Sequence, residues 1–298
     1  MNLPRITGEI SVADYQGGYK AVVNERTTSS PAGLHYTIWK TVAAEDDLAE
    51  WLSVMMSLPF MYGFICQRWA ILIDTMLEKK PGVRKIHLLR IIGILEADFN
   101  TALKILFARK LMRCAESQDM LHDEQWGSRP NRTSTDAAMQ KMLVFEYGRY
   151  MKFTIALFAN DQTACFDRMW PELSNTVAYA CGMDKPSLEC RAKTIEAMTR
   201  HIKTGLGVSE NTYSNTPGDP RIIGEIQGKG DVATLWAFMS SMLLLAHSFV
   251  WTGLDLPLQQ EVQASNGIMQ DMWMMLIRWL DQLTTALKPP FKSCKTWK

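Results

Sequence analysis

The chain has little of several things that would narrow its function at once. Cysteine is sparse: six in 298 residues, at 66, 114, 165, 181, 190 and 294, with no CxxC pair. No His/Cys pairing has the spacing of a zinc site, so the cysteines read as reduced intracellular thiols. A disulfide-built secreted domain and a structural zinc module are thereby excluded. An excess of one charge is also lacking. Lys and Arg number 32 against 31 Asp and Glu, for a formal net charge of +1. Any affinity for nucleic acid must therefore come from local patches. The first residues, MNLPRITGEISVADY, have neither the basic start nor the apolar run of a signal peptide. No repeat, low-complexity tract or clean linker is visible. What is present is apolar mass: 47% of the residues are hydrophobic, enough for a sizeable core in one large or two ordinary domains.

One run tests that reading. Residues 235–254, LWAFMSSMLLLAHSFVWTGL, carry no formal charge and are long enough to span a bilayer, which takes about 20 apolar residues. Ser240, Ser241, His247, Ser248 and Thr252 interrupt it. It reads as a buried helix, with no stable membrane partner and an intracellular location, cytoplasmic or nuclear.

The local patterns predict mixed helix and strand, an α+β layer fold. Residues 1–35 read as an irregular arm with TTSSPAG as a loop. Asp46 and Asp47 open a helix whose apolar face is Leu48, Trp51, Leu52 and Met55. Residues 68–77 read as helix and 86–95 as a β-branched strand, on either side of the basic turn KKPGVRK. Asp98 or Asn100 caps a helix to about Glu116, and RPNRTSTD is a polar loop ending in a cap for a helix from about 137 to 149. Residues 152–159 read as strand, 171–180 and 187–202 as helices, and SENTYSNTPGDP as a hairpin-like loop.

The stretch with most chemistry is ALFANDQTACFDRM, 156–169. An apolar run ends in Asp161, and Phe166 and Asp167 follow. The bland reading is a helix start with Asp161 as N-cap. The alternative is a metal-binding carboxylate at the end of a strand, where a rigid backbone aims it. Carboxylate oxygens suit magnesium, and nucleotidyl transfer uses two such ions about 3.5–4 Å apart.

Four segments in this order bring in a family. HDEQWGSRPNRTSTDAA (122–138) resembles the fingers segment of reverse transcriptases; NDQTACFDRM resembles their first catalytic motif, GEIQGKGD (224–231) their Gln-Gly motif, and SNGIMQDMW (265–273) stands where their paired-aspartate motif belongs. MLEKKPGVRKIHLLRIIGILEADFN (76–100), TTSSPAGLHYTIWK near the N-terminus and WLDQLTTALKPPFKSCKTW at the other end are similar to a retroelement subgroup of algae and fungi, which is non-LTR-like. The resemblance implies an RNA-directed DNA polymerase domain with an N-terminal arm (1–69), fingers (70–150) and a palm (151–298). The palm would be an antiparallel sheet backed by helices, with the thumb absent or incomplete. It implies Asp161 and Asp271 as catalytic carboxylates holding two Mg2+ (or Mn2+) ions. Arg90, Phe166, Gln227 and Gly228 would contact the nucleotide: Arg90 by a guanidinium fork on the triphosphate, Phe166 under the sugar, and Gly228 by letting backbone come close. Lys79, Lys80, Arg84, Lys85, Arg129 and Arg132 would meet the template. The partners would be an RNA or DNA template-primer and dNTP.

The departures matter as much. The family pairs two acids on one turn, and here Gln270 precedes Asp271, with Ile268 at the aromatic position. A Gln carbonyl can coordinate but brings no charge, so two dications would face two carboxylates rather than three. The Gln-Gly segment continues as KGDVATLW, and KPP replaces the glycines expected near Leu287. The resemblance therefore implies a polymerase that is impaired, or an inactive relic acting at most as a nucleic-acid-binding module.

Overall fold

The computed structural model describes residues 5–20, 30–83, 85–155, 165–215 and 224–250, with side chains except at 247–250. The chain divides into two compact units, residues 2–241 and 242–298, Met1 being grouped with the second. The strands, turns and side-chain contacts described below all lie in the first unit.

Helix α1, Val12–Lys20, lies in the segment expected to be an irregular arm. Ser11 starts it: its hydroxyl accepts from the Asp14 N–H at 3.2 Å and donates to the Asp14 carboxylate at 2.7 Å. Two glycines hide the helix from a propensity reading. Gly18 has a packing reason, because a methyl there would stand 2.9 Å from Ile105 Cδ1. A short α2, Tyr36–Val42, leads to α3, Asp46–Tyr62. The acids fall in the first turn of α3 as expected, next to the positive end of the helix dipole. Its buried face does not follow expectation. Leu48, Trp51 and Met55 are exposed, and the core side is Ala49, Ser53, Met56, Ser57 and Phe60. Small residues at intervals of four allow the arm to run close: the Ile10 N–H donates to Ser57 Oγ at 2.8 Å.

The segment after α3 corrects another expectation. A 3-10 turn, Gln67–Ala70, is followed by strand β1, Ile71–Glu78, where a helix was predicted. The alternation of buried Leu72 and Asp74 with more exposed Ile71, Ile73 and Thr75 is the two-residue period of a sheet. Lys79–Gly82 turns the chain, with Gly82 at φ 81°, and β2 is Leu89–Ile94. Helix α4, Ala97–Leu103, passes through a π-helical stretch, Lys104–Lys110, into α5, Leu111–Ser117. The N-cap position belongs to Glu96 rather than Asp98 or Asn100. Glu96 and Asp98 are instead committed to Arg68, and Glu96 also accepts from Ser30 Oγ at 2.6 Å and the Ala32 N–H at 2.7 Å.

The expected Ser/Thr/Asp cap is present. Thr133 caps α6, Ser134–Met151, in a capping box with Asp136. The strand expected from 152 does not begin there. Lys152 is the left-handed C-cap of α6, at φ 54°, and 153–155 form no strand; 156–159 lie outside the described residues. Helices α7, Pro171–Ala180, and α8, Lys185–Glu196, follow. The expected helix to 202 stops short, since Thr199–Thr204 is β3, and β4, Gly207–Tyr213, occupies the start of the expected polar loop. Helix α9 is Val232–Val250.

The four strands form one sheet in the order β2-β1-β3-β4. β2 and β4 pair antiparallel to their neighbours, while β3 lies parallel to β1. The sheet is therefore mixed, and β3 and β4 of the expected palm share it with the expected fingers strands. One face buries Leu72, Asp74, Gly93 and Arg200, with Arg200 Nη1 3.6 Å from the Asp74 carboxylate and the Tyr213 hydroxyl donating to the same acid. By alternation, Arg90, Ile92, Thr75 and Lys203 share the other face. The architecture of the described residues is α+β. No helix among them is long and apolar enough to cross a membrane.

Candidate functional site

The Gln-Gly segment sits at the free edge of β2. The Gly93 N–H donates to the Gln227 carbonyl at 2.8 Å, so the turn caps backbone that an edge strand would otherwise expose. The approach is close enough to demand glycine on both sides. A methyl on Gly228, at φ 109°, would lie 2.7 Å from the Gly93 carbonyl and 3.2 Å from Ile92 Cγ2. A methyl on Gly93 would lie 2.1 Å from Ile226 Cγ2. Because Ile92 and Arg90 share a sheet face, Gly228 packs over the face on which Arg90 is the next outward residue, about 7 Å further along the strand.

The same segment is bound to a second motif. The Glu225 N–H donates to the Phe166 carbonyl at 2.8 Å. Gly224 lies so close to Asp167 that a methyl there would be 2.2 Å from the Asp167 carbonyl oxygen, and its φ of 110° suits glycine alone. Phe166 and Asp167 belong to a short 3-10 turn, Phe166–Arg168. Three expected nucleotide-contacting elements thus converge: the strand of Arg90, the turn of Phe166, and Gln227-Gly228. Arg90 and Gly228 are exposed, and Gln227 and Phe166 half-buried.

What fixes the turn from beneath was not legible in the motif. Arg191 on α8 is fully buried. Its Nε donates to Asp231 at 2.7 Å, its Nη2 to Glu225 at 2.5 Å, and its Nη1 to the Asn175 side chain at 2.5 Å. Lys229, also buried, donates to Glu225 and lies 3.5 Å from Asp231. Burial alone would push the Glu225 carboxyl up, but the two cations outweigh it and hold the carboxyl well below the usual carboxylate range. Burial pushes the Lys229 ammonium down, and Arg191 beside it adds to this; the two acids oppose the shift without cancelling it. Asn100 on α4 braces the turn from the other side. It accepts from the Gly230 N–H at 2.6 Å, and its amide nitrogen donates to the Gly228 carbonyl at 3.4 Å and to the Tyr36 hydroxyl at 3.2 Å.

The basic residues divide into two groups. Lys79, Lys80 and Lys85 are exposed around the β1–β2 turn; Arg84 lies outside the described residues. Arg129 is buried, and its guanidinium grips Glu116 through two bonds of 2.7 Å and donates to the His122 carbonyl at 2.9 Å. That engagement ties the loop down and draws the Glu116 carboxyl below its ordinary value. Arg132 is half-buried, donates to the Asp123 carbonyl and lies over the Trp126 ring at 5.4 Å. The neighbouring Gln125 accepts from Ser240 Oγ at 2.7 Å, which fastens the 122–138 segment to α9.

Asp161, Gln270 and Asp271, the positions expected to hold metal, all lie outside the described residues. Among the described residues, no group of three or more His, Cys, Asp or Glu is placed to hold a metal ion. No family model matches the chain, and no curated protein sequence matches it either.

Proposed function

We propose that the chain is a reverse-transcriptase-like domain, built for template-directed DNA synthesis and impaired by Gln270. The observation that carries the reading is the convergence at β2. A strand bearing an exposed arginine, a Gln-Gly turn forced close by paired glycines, and the Phe166 turn meet in one place, although they are far apart in sequence. A polymerase needs a cation for the triphosphate, backbone for the nucleotide and an aromatic for the sugar within one nucleotide's reach.

In this reading Arg90 takes the triphosphate through its planar fork. The Gln227 side chain would meet the nucleotide, Gly228 would let it come close to the backbone, and Phe166 would lie against the sugar. Lys79, Lys80 and Lys85 supply sequence-independent attraction to template phosphates. Asp161 and Asp271 would hold Mg2+, which supplies charge neutralisation at the reacting phosphate when bound. Loss of one preorganised electrostatic contact typically costs about 10²–10³ in rate, and Gln270 is such a loss. The second reading, a non-catalytic nucleic-acid-binding descendant, is favoured by Gln270 alone.

Primer extension on an RNA template with magnesium or manganese tests the proposal. The expected outcome is little or no extension by the native chain, extension by Gln270→Asp, and loss again when Asp161→Ala is added. Silence from soluble, folded Gln270→Asp protein would leave only the binding reading.

A further inference from the structure

The charges beneath the Gln-Gly turn call for a reason other than stability. Arg191, Glu225, Lys229 and Asp231 are all buried, and a buried ion group can often be replaced by apolar residues without loss of stability. Their order along the chain is informative. Glu225 stands two residues before Gln227, and Lys229 and Asp231 stand one and three residues after Gly228. All three side chains turn inward on or beside the same guanidinium, which leaves Gln227 and Gly228 as the outward-facing pair. Each nitrogen of the guanidinium has a partner: Asp231, Glu225 and Asn175 take Nε, Nη2 and Nη1 in turn, and the Phe107 ring lies 5.7 Å from its centre. A fork with fixed donor directions sets the orientation of both flanks at once, which a greasy contact does not.

We propose that Arg191 is a positioning residue for the nucleotide contact at Gln227-Gly228. It touches no nucleotide; it fixes the orientation of the turn against β2 and, through the turn, nucleotide affinity. The consequence for affinity rests on the polymerase reading, whereas the effect on the turn does not.

The test uses the full chain carrying Gln270→Asp as parent. One variant adds Arg191→Met, Glu225→Leu, Lys229→Met and Asp231→Leu, which removes the charges together and leaves none unpaired. A second adds Arg191→Lys alone, which keeps the charge but loses the fork, and is read the same way should the first fail to fold. Amide hydrogen exchange is followed at Gly93 and residue 225, whose N–H groups hold the turn, and primer extension gives KM for dNTP and kcat. The expected result is folded protein with exchange at both amides faster by about tenfold, KM raised about tenfold and kcat changed less than about twofold. Exchange at the parent's level in a folded variant overturns the proposal, and so does faster exchange with unchanged KM. If the parent extends no primer, the polymerase reading fails separately, and the exchange arm decides whether Arg191 holds the turn.

Discussion

Arg191 shows how much one side chain can organise and how little its neighbours in sequence reveal. It reaches Asp231 across 40 positions and, among the described residues, is the one cation facing both buried acids from outside their own segment. Removing it alone would strand Glu225 and Asp231 with only Lys229 to neutralise them. Arg191→Met is therefore expected to destabilise the fold by about 3–5 kcal/mol, read by urea denaturation against the parent chain. The acid side of the cluster gives a pH signature. The folded Glu225 carboxyl titrates below its unfolded value of 4.5, so its stabilising contribution is complete above that value and is lost as pH falls through the folded value. The stability difference between the parent and Glu225→Gln should therefore narrow steadily below about pH 4.5 in thermal melts. A difference that stays constant to pH 3 would show that Glu225 is not held ionised by its partners.

At the level of elements, the cap of α6 is legible in the sequence, whereas that of α4 is not, its N-cap position belonging to Glu96. The TSTD pattern announces α6, and Thr133 and Asp136 form the capping box it implies. Thr133→Ala should cost about 1 kcal/mol, seen as a lowered denaturation midpoint with no change in slope. The face of α3 was misread because Leu48, Trp51 and Met55 look like a core stripe, while the side actually buried is built from Ala49, Ser53 and Ser57, whose small size lets the arm approach. β1 was misread for a related reason. Its buried positions include Asp74, and an acid does not look like core until Arg200 and Tyr213, on strands that come much later, supply its partners. Gly93 and Gly228 belong to the same class: Gly93 is crowded by Ile226 and Gly228 by the Gly93 carbonyl, and a close approach between distant segments leaves no local pattern. Motif order led to segments that do touch: the Gly93 N–H of β2 bonds the Gln227 carbonyl, and the Glu225 N–H bonds the Phe166 carbonyl.

At the largest scale, the mixed sheet ties together segments from 71 to 213 within the first unit. β3 and β4 complete a sheet begun by β1 and β2, and the Gln-Gly turn closes its edge, so the exposed lysines of the β1–β2 turn and the exposed Arg90 belong to the same layer as the turn that would meet the nucleotide. The proposal that this layer once served a polymerase depends on a metal site formed by Asp161, position 270 and Asp271. Manganese binding reads that site without requiring turnover. Titration of the native chain, Gln270→Asp, and Asp161→Ala in the Gln270→Asp background with Mn2+, followed by electron paramagnetic resonance, is the most direct measurement. Restoring the carboxylate should tighten binding by at least about tenfold, because affinity for hard cations follows the number of charged ligands, and Asp161→Ala should abolish the gain. Equal binding by the native and Gln270→Asp chains, or a gain that survives Asp161→Ala, would contradict a shared site and with it the polymerase reading.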